Sequence, residues 1–498
     1  MKNELYLLLW CIHNSTWNIC FLSTCIILIS GVATSTNITL GSPLFVQSSV
    51  LLASQTLIFG ILLSSLAPLF IMFSWNYFLV YDLYSYKLKI IILIFSYAWF
   101  SFSLFYTKKE NLTSFEYWVL ALLSVTAILL VSQACDLLSM YLAIEFQSLT
   151  FYILTSYKRT SEFSTEAGLK YFILGAFSSS FLLFGSSLLY SLTGLTNFED
   201  FDKFTTGFAA NNLLITNGIL TSLTFILVAL LFKIGAAPFH MWSPDVYEGA
   251  PISTTAFLVI LPKISLIILF IRFFVITFQD YFLITEKIIL LSSLISLFVG
   301  AFGALSQKKW KRFIAYSSIN HIGFMLLALS TGNKSSVFTI LFYLIIYIFT
   351  MLNIFSWIIS YRWKTYLTNY QIRYLVNLRS LNVINPILAL TLALTLFSMA
   401  GIPPLAGFFS KMFVLLNILK NEIYGLTIVA VIISCLTCFY YIQLIKLMYF
   451  SQSSRLFILY PISKINSLVL AVSFYFLGLI FLDFELASLF LENLTDHS

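Results

Sequence analysis

The sequence predicts an all-α polytopic membrane protein of about 14 transmembrane helices. Three observations predict it. The chain is 60% hydrophobic and only 9% charged, apolar runs of membrane-spanning length recur from end to end, and cationic residues gather on alternate connections between those runs. A soluble domain carries roughly a quarter charged residues. This chain has too little polar surface to clothe a globule of its size, so the bilayer interior is its main solvent. The 51 Phe residues suit lipid-facing helices, but nucleotide bias in the coding genome would give the same count, so they say nothing about mechanism.

A bilayer core of about 30 Å takes about 20 helical residues. Runs of that order fall near 18–36, 48–74, 88–106, 116–134, 137–157, 168–192, 213–238, 251–276, 286–305, 312–330, 337–360, 384–402, 405–420, 423–449 and 466–490. The runs 384–402 and 405–420 lie too close to be two full spans and read as one helix broken at Gly401-Ile402-Pro403-Pro404. Numbering the spans in order puts Lys108, Lys109, Lys158 and Arg159 on one set of loops. The same set holds Lys308, Lys309, Lys311, Arg312, Arg362, Lys364, Arg373, Arg379, Arg455 and Lys464. The opposite set is poor in cations and holds Glu199, Asp200, Asp202 and Asp496. Cationic loops stay on the side of insertion, so the asymmetry supports an even number of spans with both ends on the outer, proton-rich side. The start, Met1-Lys2-Asn3-Glu4, lacks the Arg- and Ser-rich stretch of a mitochondrial presequence. A mitochondrial protein of this kind is expected to be made inside the organelle.

Cofactor chemistry is not visible. Of six cysteines, Cys435 and Cys438 have redox-motif spacing, but they lie in the apolar run 428–441. A thioredoxin-like site needs a βαβ setting, so the pair reads as small residues at a helix contact. No cluster offers four thiolates to an iron–sulfur centre, and neither a G-x-G-x-x-G turn nor a Walker loop is present. The sequence therefore shows no site for a nucleotide, a flavin, a cluster or a metal, and nothing that would bind nucleic acid.

Charge inside an apolar run costs about 2.5–3.5 kcal/mol on insertion scales, so each such residue needs a reason. Glu145 is at the middle of its span; the alternative to a functional role is a neutral carboxyl bonded near Gln147 or Ser148. Lys170 is near enough to a span end to snorkel to the interface. Lys233 follows some twenty apolar residues and precedes Gly235 and Pro238, Lys263 follows Pro262 near mid-span, and Lys411 lies two turns after Pro404. At those depths snorkelling is a poor escape. His321 is well inside its helix, where packing competes with a proton-relay role that its near-neutral titration would suit. His240, Asp245 and Glu248 fall in the loop after Lys233, and loop anchoring is a serious rival reading for them. A desolvated lysine exchanges its proton near physiological pH, and a neighbouring carboxylate reverses that effect, so a Glu–Lys pair that can be drawn apart is a switch of proton affinity. Broken helices expose backbone dipoles at membrane depth, which is tolerated inside protein or beside a wet cavity. Both breaks adjoin a lysine, Lys233 with Pro238 and Lys411 with Pro404, which suggests two related halves at about 116–276 and 286–449.

At these residues the chain resembles the antiporter-like subunits of respiratory complex I, a family related to Mrp-type cation/proton antiporters. Within it, subunit 2 of plant and protist mitochondria is most similar. The matching stretches are Met140-Tyr-Leu-Ala-Ile-Glu-Phe-Gln-Ser-Leu149, Ser161–Tyr171, Phe232–Pro251, Pro262-Lys-Ile-Ser265, Ala315–Gly323 and Met399–Lys411. They run in family order over nearly the whole chain, with looser matches in the first hundred and last fifty residues. The resemblance implies two inverted five-helix repeats, each with a broken helix, after N-terminal helices at 1–115 and before a C-terminal loop and last helix at 450–498. It implies a proton path through Glu145, Lys233, Lys263 and Lys411, with Lys170 and His321 in support. A sister subunit carries glutamate where Lys411 stands, and subunit 5 carries a long lateral helix without a counterpart here. The implied activity is proton translocation in an NADH:ubiquinone oxidoreductase of the mitochondrial inner membrane. NADH, FMN, iron–sulfur clusters and ubiquinone would then bind other subunits. Expected partners are neighbouring membrane-arm subunits and lipids. An Mrp-type antiporter subunit and a structural membrane scaffold are the rival readings, and a plastid quinone oxidoreductase homologue is a near neighbour.

Overall fold

Hydrocarbon offers no partner to backbone N–H and C=O groups, so a chain this apolar must satisfy them within helices. The computed structural model describes residues 2–35, 43–66, 72–110, 112, 114–208, 213–364, 369–371, 373–451 and 461–480. Among them, eleven helices are long and apolar enough to cross a membrane. The described chain forms two compact units. The first comprises residues up to Ile234 together with Gly249–Phe282; the second comprises Gly235–Glu248 and the residues from Leu283 onward.

The first unit begins with α1 (Lys2–Ser35) and α2 (Pro43–Leu66), which pack on each other. A short hairpin follows, β1 (Met72–Ser74) with β2 (Leu79–Tyr81), paired Met72 to Tyr81. The second apolar run therefore stops at Leu66 as helix, short of the expected 74. The hairpin turn at Trp75, Asn76 and Tyr77 has positive φ at all three residues. Next come α3 (Leu83–Lys109), α4 (Glu116–Gln133), α5 (Leu137–Ser156), α6 (Glu162–Thr193), α7 (Phe198–Phe208) and α8 (Leu213–Ile234). Capping sets two of the starts: Asp82 with Ser85 and Asp136 with Ser139 exchange reciprocal side-chain and backbone hydrogen bonds. The segment read as an acidic loop is helix α7. Its phenylalanines recur at helical spacing, and Phe198 and Phe201 turn inward onto Phe273 and Phe278, leaving Glu199, Asp200 and Lys203 outside.

The helix α10 (Ile252–Phe270) has all 19 residues buried. It contacts α3, α4, α5 and α8 and continues as a π-helical turn over Ile271–Thr277. Burial on every side explains the absence of a polar stripe in its sequence.

The second unit holds α9 (Trp242–Gly249, the last residue excepted), α11 (Phe282–Leu305, from Leu283), α12 (Trp310–Leu329) and α13 (Lys334–Ser360). A second hairpin, β3 (Arg362–Lys364) with β4 (Asn369–Gln371), leads to α14 (Leu381–Ile384), α15 (Pro386–Ala400), α16 (Ala406–Lys420), α17 (Tyr424–Tyr449) and α18 (Lys464–Leu479). At about 1.5 Å per residue, the 15 residues of α15 and the 15 of α16 each reach about 22 Å, short of the bilayer core. The run 384–420 thus holds two short helices, interrupted at 401–405. α13 is the hub, packing on α12, α15, α16 and α18. Cys435 and Cys438 lie on α17 without a disulfide, Cys435 exposed and Cys438 half-buried.

Candidate functional site

In the first unit the centre of α5 meets the end of α8. Lys233 Nζ lies 3.9 Å from Glu145 Oε1, with the lysine side chain 6% and the carboxyl side chain 22% exposed. Tyr152, two turns along α5 from Glu145 and so on the same face, accepts a hydrogen bond from Lys233 Nζ at 3.4 Å. The tyrosine stands where it does because α6 carries Gly175 opposite: a Cβ there would meet the Tyr152 hydroxyl at 2.1 Å. Lys233 occupies the last turn of α8, where a cation is favoured by the helix dipole.

Lys263 is 2% exposed at the middle of α10. Pro262 before it lacks an N–H and so leaves a carbonyl of the preceding turn without its helical donor. Lys170, in contrast, sits on an exposed part of α6 and pairs with Glu166 one turn away at 2.7 Å.

Two buried cations of this unit escaped the sequence reading. Arg272, 6% exposed, donates to both Asp82 carboxylate oxygens at 3.1 Å and to the carbonyls of Ser132 and Ala134 at 3.2 and 3.3 Å. It ties the π turn to the start of α3 and the end of α4. Burial pushes the Asp82 carboxyl up, but the Arg272 charge and the Ser85 hydrogen bonds together outweigh it and hold the group below the usual carboxylate range. Lys89 is 3% exposed and lies 5.2 Å from the centre of the Tyr81 ring. Both were passed over because they fall near expected span ends. The Asp82–Ser85 cap, which starts α3 earlier and puts Lys89 two turns inside, was the signal available.

In the second unit the helix break supplies the site. α15 ends at Gly401 in the left-handed region, φ 85°. The two carbonyls just before it, Met399 and Ala400, each accept a hydrogen bond from Lys411 Nζ at 2.9 Å. A buried amine thus occupies the negative end of a half-helix. Glycine is required at 401 twice over, for its φ and because a Cβ would lie 2.9 Å from Lys411 Cδ. His321 on α12 is buried, and its Nδ1 shares a hydrogen bond of 2.8 Å with the Tyr343 hydroxyl of α13. His321, Tyr343, Tyr347, Thr350, Ser410 and Lys411 line one small cavity of about 10 Å³, room for about one water. The structure therefore brings His321 and Lys411 to a common chamber.

Asp245 and Glu248 are anchors. Arg312 donates to Asp245 Oδ1 at 2.6 Å and its Nε lies 2.8 Å from Glu248 Oε2 as an ion pair, and Lys309 also pairs with Glu248. A second left-handed glycine, Gly235 with φ 82°, stands three residues before Pro238, as Gly401 stands before Pro404. The two breaks share one local design.

A family model described as NADH:quinone oxidoreductase/Mrp antiporter, transmembrane, matches residues 134–437. The chain is 41% identical over 466 residues to NADH-ubiquinone oxidoreductase chain 2 of Marchantia polymorpha, covering 92% of this chain and 93% of that one. It is 42% identical over 468 residues to the chain 2 of Oenothera berteroana, with coverage of 92% and 93%. The structure resembles a chain of respiratory complex I from Thermus thermophilus, solved with bound aureothin, at a TM-score of 0.77 and 24% identity, over 95% of this chain and 98% of that one.

Proposed function

The chain belongs to the NADH:quinone oxidoreductase/Mrp antiporter membrane family, and from that premise we propose that it is the proton-translocating, antiporter-like subunit 2 of a respiratory NADH:ubiquinone oxidoreductase. The observation that carries the reading is the Lys233–Glu145 pair, a lysine held 6% exposed within reach of one carboxylate and one tyrosine hydroxyl. Drawing the Glu145 carboxylate away from Lys233 removes the charge that holds the proton on the amine, and the proton moves on; returning it lets Lys233 reload. Lys263, His321 and Lys411 are the later stations, and Lys170 with Glu166 supports the first. Energy for the stroke comes from quinone chemistry in other subunits, where NADH, FMN, iron–sulfur clusters and ubiquinone bind; this chain carries no redox centre.

The same reading includes about 14 spans, inverted five-helix repeats at about 116–276 and 286–449, membrane-arm neighbours, and residence in the mitochondrial inner membrane. An Mrp-type antiporter subunit would use the same lysines. It is less well supported, because identity of 40–42% over 92% of the chain is to proteins named NADH-ubiquinone oxidoreductase chain 2. The test replaces Lys233 or Glu145 by Ala in the assembled complex and reads protons released per NADH oxidised. Loss of pumping is expected. Unchanged pumping in an intact assembly would leave only a scaffold.

A further inference from the structure

Tyr343, Ile346, Tyr347 and Thr350 of α13 line the His321–Lys411 cavity. One turn beyond Thr350, on the same face, is Asn353, fully buried, whose Nδ2 donates to Ser473 Oγ of α18 at 3.0 Å. Taken alone, this is an ordinary polar clasp between two membrane helices. Two facts exceed a clasp. Asn353 Oδ1 has no hydrogen-bond partner among the described residues. Asn466, two turns before Ser473 on the same buried stripe of α18, is wholly buried with both Oδ1 and Nδ2 unpartnered among them. Hydrocarbon cannot satisfy an amide. Buried polar groups in proteins are met by protein or by ordered water, and water settles where several such groups converge.

The polar groups form a line with a direction. α13 ends at Ser360 with Arg362 just after it, and α18 begins at Lys464; the Asn353–Ser473 bond and the Phe349–Phe476 stack show the helices to be antiparallel, so Arg362 and Lys464 share one cation-bearing end. Asn466 lies within one turn of that end, the Asn353–Ser473 bond lies roughly 10–14 Å deeper, and Thr350 and the cavity follow.

We propose that a file of water runs between α13 and α18, from the cation-bearing end past Asn466, Ser473 and Asn353 into the His321–Lys411 cavity. This branch gives the cavity an opening to the cation-bearing side, through which a proton passes along hydrogen bonds to the Lys411 amine with no covalent change elsewhere. The inference rests on the reading of Lys411 as a relay group.

The experiment uses the assembled complex in sealed vesicles of each orientation and a small, membrane-impermeant, cationic methanethiosulfonate. Ser473→Cys should be labelled from the cation-bearing side, as read by the mass of the modified peptide. Val472→Cys, which faces outward, should not be labelled. No labelling of Ser473→Cys from that side, or labelling equal to that of Val472→Cys, overturns the branch. In parallel, Asn466→Leu should lose most of the protons released per NADH while NADH oxidation persists, and Asn466→Ser should keep them. Full pumping in Asn466→Leu also overturns the branch. Lys411→Ala separates the two levels: if it pumps normally, the relay reading itself falls, whatever the thiol labelling shows.

Discussion

At Lys233 three groups meet, and charge rather than distance ranks their work. In the proposed stroke the carboxylate of Glu145, 3.9 Å from the amine, carries the charge that moves, and the Tyr152 hydroxyl at 3.4 Å orients the amine. Tyr152→Phe should therefore slow pumping by about tenfold at most, the worth of one ordinary hydrogen bond, and less than Glu145→Ala does; steady-state proton release reads both. Asp82 yields a pH prediction. Its folded carboxyl is held below its unfolded value, so the stability it confers is fully present above the unfolded value, about 3.9, and is lost as pH falls through the lower, folded value. Asp82→Asn should flatten the fall in thermal stability of the purified complex across that acid window. A faithful copy of the wild-type acid profile would refute this. The sequence made Glu145, Lys233, Lys263 and Lys411 legible because charge stands out against apolar runs. Tyr152 and Tyr343 were invisible, being neutral rings in a chain that is 18% aromatic. Arg272 and Asp82 were hidden differently: each lies near a span end, and only the tertiary fold joins positions 190 residues apart.

Among the elements, α6 and α15 are built around glycines that place a working side chain. Gly175→Ala puts a Cβ onto the Tyr152 ring and should displace the tyrosine from Lys233, giving slower pumping with assembly retained. Gly401→Ala adds about 1–2 kcal/mol of left-handed strain and crowds Lys411. It should cost both thermal stability and proton release, and normal values of both would contradict the geometry. The break at 401–405 was readable because Gly and Pro interrupt helices for stated steric reasons. The π turn at Ile271–Thr277 was not readable. It is fixed by the anchoring of Arg272 and by Thr277 bonding to the Arg272 carbonyl at 2.9 Å, neither of which leaves a periodic trace. Helix α7 was missed because its acidic residues mask a short amphipathic stripe of phenylalanines.

For the molecule as a whole, length and hydropathy gave the membrane class directly, but division into units was beyond them. Residues 235–248 join the second unit, where Asp245 and Glu248 pair with Arg312 and Lys309 more than sixty residues away. Such pairings are set by the fold and not by neighbours in sequence. Arg312 is 39% exposed, so Arg312→Ala should cost only about 1 kcal/mol or less and leave proton release near normal; collapse of the assembly would show that the anchor bears more. Isolated in mild detergent, the chain should travel with an assembly that oxidises NADH, and recovery as a free transporter would favour the antiporter reading.

Lys411, seated on the carbonyl end of α15, has an electrical consequence. On the proposed path, a proton held at the Lys411 amine beside the break between α15 and α16 has crossed only part of the transmembrane voltage. Full crossing is worth about 2.3 kcal/mol per 100 mV, and the step through Lys411 must bear a fixed fraction of that. Turnover should accordingly respond to a clamped potential even when both compartments are buffered to the same pH.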